Sequence, residues 1–165
     1  MRMQRRVYLG LGSNLGDRIT ALRAAISGLA PHILIDAVSS VWDTAPEIVE
    51  DQPRFLNAVV AGLTELDPFT LLQMIKRLER VMGRQPELRY GPRVIDIDIL
   101  LYAEWRVDSK ELVIPHPLMV VRAFVLAPLA EIAPDITHPL LGKTIIDLLA
   151  RTPLADVQRV DLPLI

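Results

Sequence analysis

The sequence predicts an α+β fold in the order β-α-β-β-α-β, followed by a helical C-terminal extension. Short apolar runs typical of strands alternate with stretches in which apolar residues recur at helical spacing. Turn-forming glycine, proline, asparagine and aspartate separate these runs. The chain has 165 residues, 51% of them hydrophobic and 23% charged, which is typical of one globular domain. We therefore expect residues 1–165 to form a single domain.

The core elements follow from apolar periodicity and from residues that begin or end helices. The predicted strands are residues 7–11, 33–42, 55–63 and 94–102. The first helix follows the turn GSNLGD and ends at Pro31. The second begins with Asp67-Pro68, an N-cap followed by proline at the first helical position, and ends at Gly83. This order is that of a ferredoxin-like sandwich.

The C-terminal extension is predicted to be helical. An apolar stretch from Leu118 predicts a helix that ends at about Pro128. A short helix is predicted from Thr144 to Ala150.

Charge and composition exclude several functional classes. The net charge of −2 is unfavourable for a nucleic-acid-binding protein. The absence of cysteine excludes disulfides, thiolate metal sites and a cysteine nucleophile, and it fits a reducing cytosol. The basic start, MRMQRRVYLGLGSNLGD, has too short an apolar run for a signal peptide, and no run could span a bilayer. We expect a cytoplasmic protein that binds neither membrane nor nucleic acid.

Two aspartates interrupt the last predicted strand. Asp96 and Asp98 share one face because strand residues alternate. Their Cα atoms are then roughly 6.5–7 Å apart. Two uncompensated charges at that distance repel by roughly 2 kcal/mol, so a cation should accompany them. The same alternation places Val94, Leu100 and Tyr102 beside the aspartates, and Ile95, Ile97, Ile99 and Leu101 on the opposite, core face.

Arginines precede the acidic pair. Carboxylates, phosphate oxygens and water are the ligands that Mg²⁺ prefers, and guanidinium groups suit phosphates. Arg84, Arg89 and Arg93 together with Asp96 and Asp98 are therefore typical of a site for a metal-bound polyphosphate.

The pattern alone leaves other interpretations open. Each aspartate could pair with an arginine on a solvated strand face, or the pair could serve a metal-dependent nuclease. A ferredoxin-like binding module is a third possibility. An RNA-binding version would need basic and aromatic residues on central strands, where we expect Asp96 and Asp98 instead. THPLLGKT and GLGSNLG match phosphate-binding and dinucleotide-binding motifs only in part, and both are better explained as turns.

Four stretches, in this order along the chain, resemble one enzyme family. They are LGLGSNLGD, DQPRFLNAV, RYGPRVIDIDIL and PHPLMVVRAFVLAPLAEIAP. Together they resemble the 6-hydroxymethyl-7,8-dihydropterin pyrophosphokinases. The resemblance implies a ferredoxin-like fold and transfer of pyrophosphate from ATP to the pterin hydroxymethyl group, releasing AMP, in folate biosynthesis. It also implies two Mg²⁺ ions at Asp96 and Asp98, and ATP and the pterin as partners; we expect a monomer.

The resemblance also assigns roles to individual residues. The catalytic set is Arg84, Arg93, Asp96 and Asp98. The ATP-binding set is Glu79, Arg89, Ile99, His116 and Arg122. The pterin-binding set is Thr44, Phe55, Asn57, Tyr90 and Phe124. Taken one at a time, most of these residues have an ordinary structural explanation as core, turn or solvated side chains.

The chain departs from its relatives in two loops. Tyr90 stands where many relatives have tryptophan, and the loop from Arg84 to Arg89 is one residue short. The loop after Pro46 reads EIVED and lacks the glycine that is common there. We expect the polar segments 43–54 and 85–92 to close over ATP.

Overall fold

The computed structural model describes residues 2–47, 51–85, 91–154 and 156–164. The strands are β1 (Arg5–Ser13), β2 (Leu34–Val38), β3 (Val41–Thr44), β4 (Phe55–Thr64), β5 (Asp96–Tyr102), β6 (Val107–Asp108), β7 (Val113–Ile114) and β8 (Val157–Val160). The helices are α1 (Arg18–Leu29), α2 (Pro68–Val81), α3 (Ala123–Ile132) and α4 (Ile145–Ala150), and a 3₁₀ turn (Met119–Val121) precedes α3.

The main sheet is antiparallel, with strand order β5-β1-β4-β3-β8. Strand β2 pairs with the same edge of β4, next to β3. The single strand predicted at 33–42 is therefore divided into β2 and β3. The division falls at Ser39, whose hydroxyl accepts a hydrogen bond from the Val59 N–H at 2.9 Å and so interrupts the regular ladder.

Both long helices begin where the sequence predicts. The Asp17 carboxylate accepts a hydrogen bond from the Thr20 N–H, and the Asp67 carboxylate accepts from the N–H groups of Phe69 and Thr70. Helices α1 and α2 cover one face of the sheet, and α3 and α4 pack against the other. Two apolar cores result, and the sheet separates them.

Strand β5 contains a bulge that changes the predicted faces. Tyr8 pairs with Leu101 but Leu9 pairs with Ile99, so Leu100 is the extra residue. Beyond the bulge Leu101 packs on the α3 side and Tyr102 on the α1 and α2 side. The predicted faces of Leu101 and Tyr102 were therefore wrong.

The aspartates precede the bulge and keep the predicted face. Ile95, Ile97 and Ile99 point into the core beneath α1 and α2, and Asp96 and Asp98 point to the opposite face. The strand itself lies at the edge of the sheet, so the expectation of a central strand was wrong.

The C-terminal extension is only partly helical. Helix α3 continues to Ile132, past the predicted end at Pro128, because Pro128 is buried within an almost wholly apolar helix whose packing offsets the lost hydrogen bond. Helix α4 begins after Thr144 as predicted, whereas β8 was not predicted. Within the described ranges, every helix is too short or too polar to cross a bilayer.

Candidate functional site

A cavity of about 350 Å³ opens beside the aspartates, between the sheet and the segment that leads into α3. Strands β1, β3, β4 and β5 form its floor. Among the sequence-predicted residues, its lining includes Thr44, Phe55, Asn57, Arg84, Arg93, Asp96, Asp98, His116, Arg122 and Phe124. The structure thus brings residues from distant parts of the chain to one concave site.

Arg84 forms ion pairs with the carboxylates at the acidic end of the cavity. Its Nη1 lies 3.0 Å from Asp96 Oδ1 and 2.5 Å from Glu79 Oε2. Glu79 also accepts a hydrogen bond from the Ile97 N–H at 3.0 Å, on the outer side of the edge strand β5. Burial raises the pKa of Glu79, and the Arg84 charge opposes that shift. Glu79 therefore lies outside the cavity lining. It contacts Arg84 and the outer edge of β5, and so stabilises both.

Asp98 lies deep in the cavity, although solvent still reaches part of its carboxylate. Burial first, and then the neighbouring Asp96 charge, raise the pKa of Asp98 to about 7. Arg122 and Arg84 oppose the shift without cancelling it. The charged form of Asp98 is therefore poorly solvated, and the neighbouring arginines compensate it only in part.

His116 faces the same carboxylate, with Nε2 4.0 Å from Asp98 Oδ2. Burial, followed by the Arg122 charge, lowers the pKa of His116 to about 4, so the ring is neutral at pH 7. Its Nδ1 accepts a hydrogen bond from the Leu118 N–H, which assigns the proton to Nε2. The contact between His116 and Asp98 is therefore not an ion pair at neutral pH.

The acidic pair suits a hard divalent cation. In the described part of the chain, no group of three or more histidine, aspartate or glutamate side chains could hold a metal by itself. Mg²⁺ commonly takes one or two protein carboxylates and completes its shell with phosphate oxygens and water. A bound cation would stabilise the charged form of Asp98, which burial disfavours. Asp96 and Asp98 therefore fit a magnesium site shared with a polyphosphate.

The opposite end of the cavity is aromatic and amide-lined. Phe55 and Phe124 line it, and the Asn57 Nδ2 donates to Thr44 Oγ1 at 2.7 Å. Gly12 lies directly across from Asn57 in the β1–β4 ladder. A Cβ at position 12 would come 2.8 Å from Asn57 Oδ1, so the glycine leaves room for the amide. Such walls suit a flat ring with polar edges.

Glu47 and Arg122 meet across the mouth of the cavity. The Arg122 Nε lies 2.9 Å from Glu47 Oε2 in an ion contact that is not aligned as a hydrogen bond. The Arg122 guanidinium also lies over the Phe124 ring, 5.4 Å from its centre. Arg122 thus contacts both a loop carboxylate and an aromatic wall of the cavity.

Asn14 holds three segments around the site. Its Nδ2 donates to Gln52 Oε1 at 2.8 Å and to the Pro53 carbonyl at 3.0 Å. Its Oδ1 accepts from the Arg93 N–H at 2.7 Å, and its own N–H donates to the Arg93 carbonyl. Asn14 is almost fully buried. It fixes the backbone from which the Arg93 side chain enters the cavity.

Two predicted positions lie outside the described residues, and the side chain of a third faces away from the cavity. Arg89 and Tyr90 fall in the undescribed segment 86–90. The Ile99 side chain packs in the core beneath α1 and α2, because odd positions of β5 before the bulge face away from the cavity. Only the Ile99 backbone is then available to a ligand, and its role in ATP binding stays a prediction.

Sequence reasoning missed Gly12, Asn14, Glu47 and Gln52. Gly12 and Asn14 belong to a motif that was recognised, GLGSN, but the motif gave no sign of their partners. The sequence feature that could have pointed to Glu47 is its loop, EIVED, which lacks the glycine common there in relatives.

The fold and the cavity define a class of protein: an α+β domain whose carboxylates and arginines suit a polyphosphate and whose aromatic end suits a flat heterocycle. The model of the family "7,8-dihydro-6-hydroxymethylpterin-pyrophosphokinase (HPPK)" matches residues 8–134. The chain belongs to this family, as the sequence motifs predicted.

Two relatives are named 2-amino-4-hydroxy-6-hydroxymethyldihydropteridine pyrophosphokinase. The Bacillus subtilis protein is 46% identical over 131 residues, covering 78% of each chain. The Methylorubrum extorquens protein is 46% identical over 158 residues, covering 94% of this chain and 99% of the relative. Accordingly, the chain is an ATP-dependent pyrophosphokinase that transfers pyrophosphate to hydroxymethyldihydropterin in folate synthesis.

Solved structures agree on the fold. Wild-type Plasmodium falciparum HPPK-DHPS superposes with a TM-score of 0.76 at 16% identity, and its pteroate complex with 0.75 at 19%. Each covers 92% of this chain, which spans less than half of the length of those chains. At this identity the likeness concerns the fold alone.

Proposed function

We propose that the cavity binds Mg²⁺-ATP at its acidic end and the pterin at its aromatic end, with the pterin hydroxymethyl oxygen facing the β-phosphorus. The observation that supports this most is the continuity of one cavity from Asp98 to Asn57. Such an arrangement accelerates phosphoryl-group transfer through positioning and charge neutralisation.

Asp96 and Asp98 would hold two Mg²⁺ ions in this proposal. Bound magnesium would neutralise phosphate charge and lower the pKa of the attacking hydroxyl group. The protein's own contribution is to place two carboxylates on one strand face and to keep other protein cations from neutralising them fully.

Arginines would orient the triphosphate. Arg84 is anchored through Nη1 by Glu79 and Asp96, which leaves its Nε and Nη2 groups to face phosphate oxygens. Arg93 enters from the backbone that Asn14 fixes, and Arg122 comes from the opposite wall. Neutral His116 would donate its Nε2 proton to a nucleotide or phosphate oxygen.

The pterin would stack between Phe55 and Phe124 and pair its edge with Asn57. Thr44 fixes one amide hydrogen of Asn57, so the amide presents a defined edge to a ligand. Arg89 and Tyr90 remain proposed contacts of ATP and the pterin on the basis of the sequence motif.

We further propose a ferredoxin-like core and a single domain over residues 1–165. The strand order β5-β1-β4 followed by β2 and β3, with α1 and α2 on one face, supports the ferredoxin-like assignment. A monomeric, cytoplasmic enzyme without a nucleic-acid or membrane partner completes the proposal.

The test is a product assay with ATP, Mg²⁺ and 6-hydroxymethyl-7,8-dihydropterin. We expect AMP and the pterin pyrophosphate in equal amounts, with ADP no higher than in an Asp98→Asn control preparation. ADP as the stoichiometric product, or pterin-independent ATP cleavage, would contradict pyrophosphate transfer. Cleavage of DNA in the same buffer would instead support the metal-nuclease alternative.

A further inference from the structure

Arg54 connects three segments of the chain at the end of the sheet. Its Nε lies 2.5 Å from Asp43 Oδ1, and its Nη1 lies 2.8 Å from Asp156 Oδ1. Its own carbonyl accepts a hydrogen bond from Arg18 Nη1 at 2.9 Å. One guanidinium group thus bridges β3, the start of β4 and the residue before β8.

These contacts lie at the base of the loop that borders the aromatic end of the cavity. Asp43 immediately precedes Thr44, and Arg54 immediately precedes Phe55. Thr44 and Phe55 form the terminal pair of the β3–β4 ladder and both line the cavity. The ion pair between Arg54 and Asp43 therefore lies next to two residues that line the cavity, Thr44 and Phe55.

The third segment comes from a part of the chain beyond the family match, which ends at residue 134. Strand β8 pairs with β3 from Val41↔Val160 to Thr44↔Val157. The tail that follows crosses to α1, where Arg23 donates two hydrogen bonds to the Pro163 carbonyl and Leu164 is buried in the core. The C-terminal segment is thus fixed at both of its ends.

The ion pairs of Arg54 contribute little to the free energy of unfolding, so stability alone does not explain this arrangement. The side chains of Arg54 and Asp156 are 41% and 55% exposed, and ion pairs this exposed contribute little to global stability. Their position at the end of the β3–β4 ladder is more important than their contribution to stability. An exposed network at the end of a ladder restricts local opening there, and opening of this pair would move Thr44 and, through it, Asn57.

We infer that Arg54 is a positioning residue for the pterin, acting through Asp43 and Thr44, and that the C-terminal strand β8 is part of this arrangement. The inference rests on the proposed location of the pterin. The pocket would then be shaped in part by a segment outside the family-matched region.

The test compares initial rates and substrate dependence for Arg54→Met, Arg54→Lys and Asp156→Asn. Arg54→Met should raise the KM for the pterin at least fivefold while the KM for ATP changes less than twofold. Arg54→Lys should be intermediate, because an ammonium group can pair with Asp43 but cannot bridge to Asp156 as the planar fork does. Asp156→Asn, which changes only an exposed side chain, should raise the pterin KM two- to threefold.

The matched control is Arg23→Met, which loosens the same C-terminal segment at its other end, away from the cavity. It should leave both KM values within twofold of the wild type. An unchanged pterin KM in Arg54→Met and Asp156→Asn, or an equal rise in Arg23→Met, would overturn the inference. Should Arg54→Met fail to fold, Asp156→Asn and Arg54→Lys decide it. A wild-type enzyme that forms no AMP would instead refute the proposed function itself.

Discussion

Asn14 and Arg93 hold each other through two hydrogen bonds. The Asn14 N–H donates to the Arg93 carbonyl at 3.0 Å, and the Arg93 N–H donates to Asn14 Oδ1 at 2.7 Å. The turn after β1 and the segment before β5 are therefore fixed to each other. The proposed role of Arg93 in binding phosphate requires such a fixed backbone, because the long side chain is flexible.

Asn14→Ala should reduce both stability and turnover. It removes three hydrogen bonds of a buried side chain and leaves the Arg93 N–H without its acceptor, so we expect a loss of about 2–3 kcal/mol in the free energy of unfolding. We also expect kcat to fall at least tenfold. Urea denaturation and steady-state kinetics measure the two effects.

Asn14→Asp provides the matched comparison. It keeps the Oδ1 acceptor for Arg93 and loses the donors to Gln52 and Pro53. It should therefore retain more kcat than Asn14→Ala does. Equal kcat in both variants would show that the Arg93 backbone bond is unimportant for catalysis.

Asp96→Ala and Asp98→Ala should each abolish measurable turnover, by at least about a thousandfold, because the proposed metal site loses half of its protein ligands. Both variants should keep the wild-type far-UV circular dichroism, since neither side chain belongs to an apolar core. Near-normal rates at saturating Mg²⁺ in either variant would refute the metal assignment. Unfolding of Asp98→Ala would favour a structural role instead.

The stability of the metal-free protein should depend on Asp98 and pH. Its pKa of about 7 in the folded protein exceeds the ordinary value of 3.8. The folded state therefore binds the proton more tightly than the unfolded state does, and this stabilisation, complete below pH 3.8, is lost as pH rises to about 7.

Asp98→Asn should remove that pH dependence. At pH 8, without Mg²⁺, it should be more stable than the wild type by about 1 kcal/mol, a value reduced for the solvent that reaches the carboxylate. Thermal unfolding of both proteins from pH 5 to pH 8 checks this. A wild-type slope unchanged by Asp98→Asn would mean that Asp98 titrates normally.

Features set by neighbouring residues could be predicted from the sequence. The N-caps Asp17 and Asp67 act within three residues, and the shared face of Asp96 and Asp98 follows from the alternation of a strand. The prediction for Leu101 was wrong because the bulge depends on how β5 pairs with β1. A local pattern contains no information about that register.

Long-range contacts could not be predicted from the residues alone. Strand β8 pairs with β3 across more than one hundred residues, and Asn14 bonds to residues 38 and 79 positions away. The candidate site was located mainly through its resemblance to a family. That resemblance concerns ligands, so it gave no sign of residues such as Asn14 that position the ligand-binding groups.

Phe124→Ala and Asn57→Ala should weaken pterin binding selectively. The first removes an aromatic wall and the second removes the fixed amide edge, so we expect at least a tenfold loss of pterin affinity, about 1.4 kcal/mol. Affinity for a Mg²⁺-ATP analogue alone should stay nearly unchanged. Titration calorimetry of folded variants measures both, and equal losses for the two ligands would exclude this location for the pterin.

Glu47→Gln should strengthen ATP binding. In the free protein the Glu47 carboxylate lies 2.9 Å from Arg122 Nε. If Arg122 binds ATP as proposed, this carboxylate competes with a phosphate oxygen for the same guanidinium group. Without this charge, ATP no longer has to displace a carboxylate from Arg122. We therefore expect the Kd of a non-hydrolysable ATP analogue to fall about threefold, or about 0.6 kcal/mol.

The control is Glu104→Gln, at an exposed turn beyond the other end of β5, which removes the same charge away from the cavity. An equal gain in that control would assign the effect to net charge, and a weaker affinity in Glu47→Gln would show that Glu47 assists the nucleotide rather than competing with it.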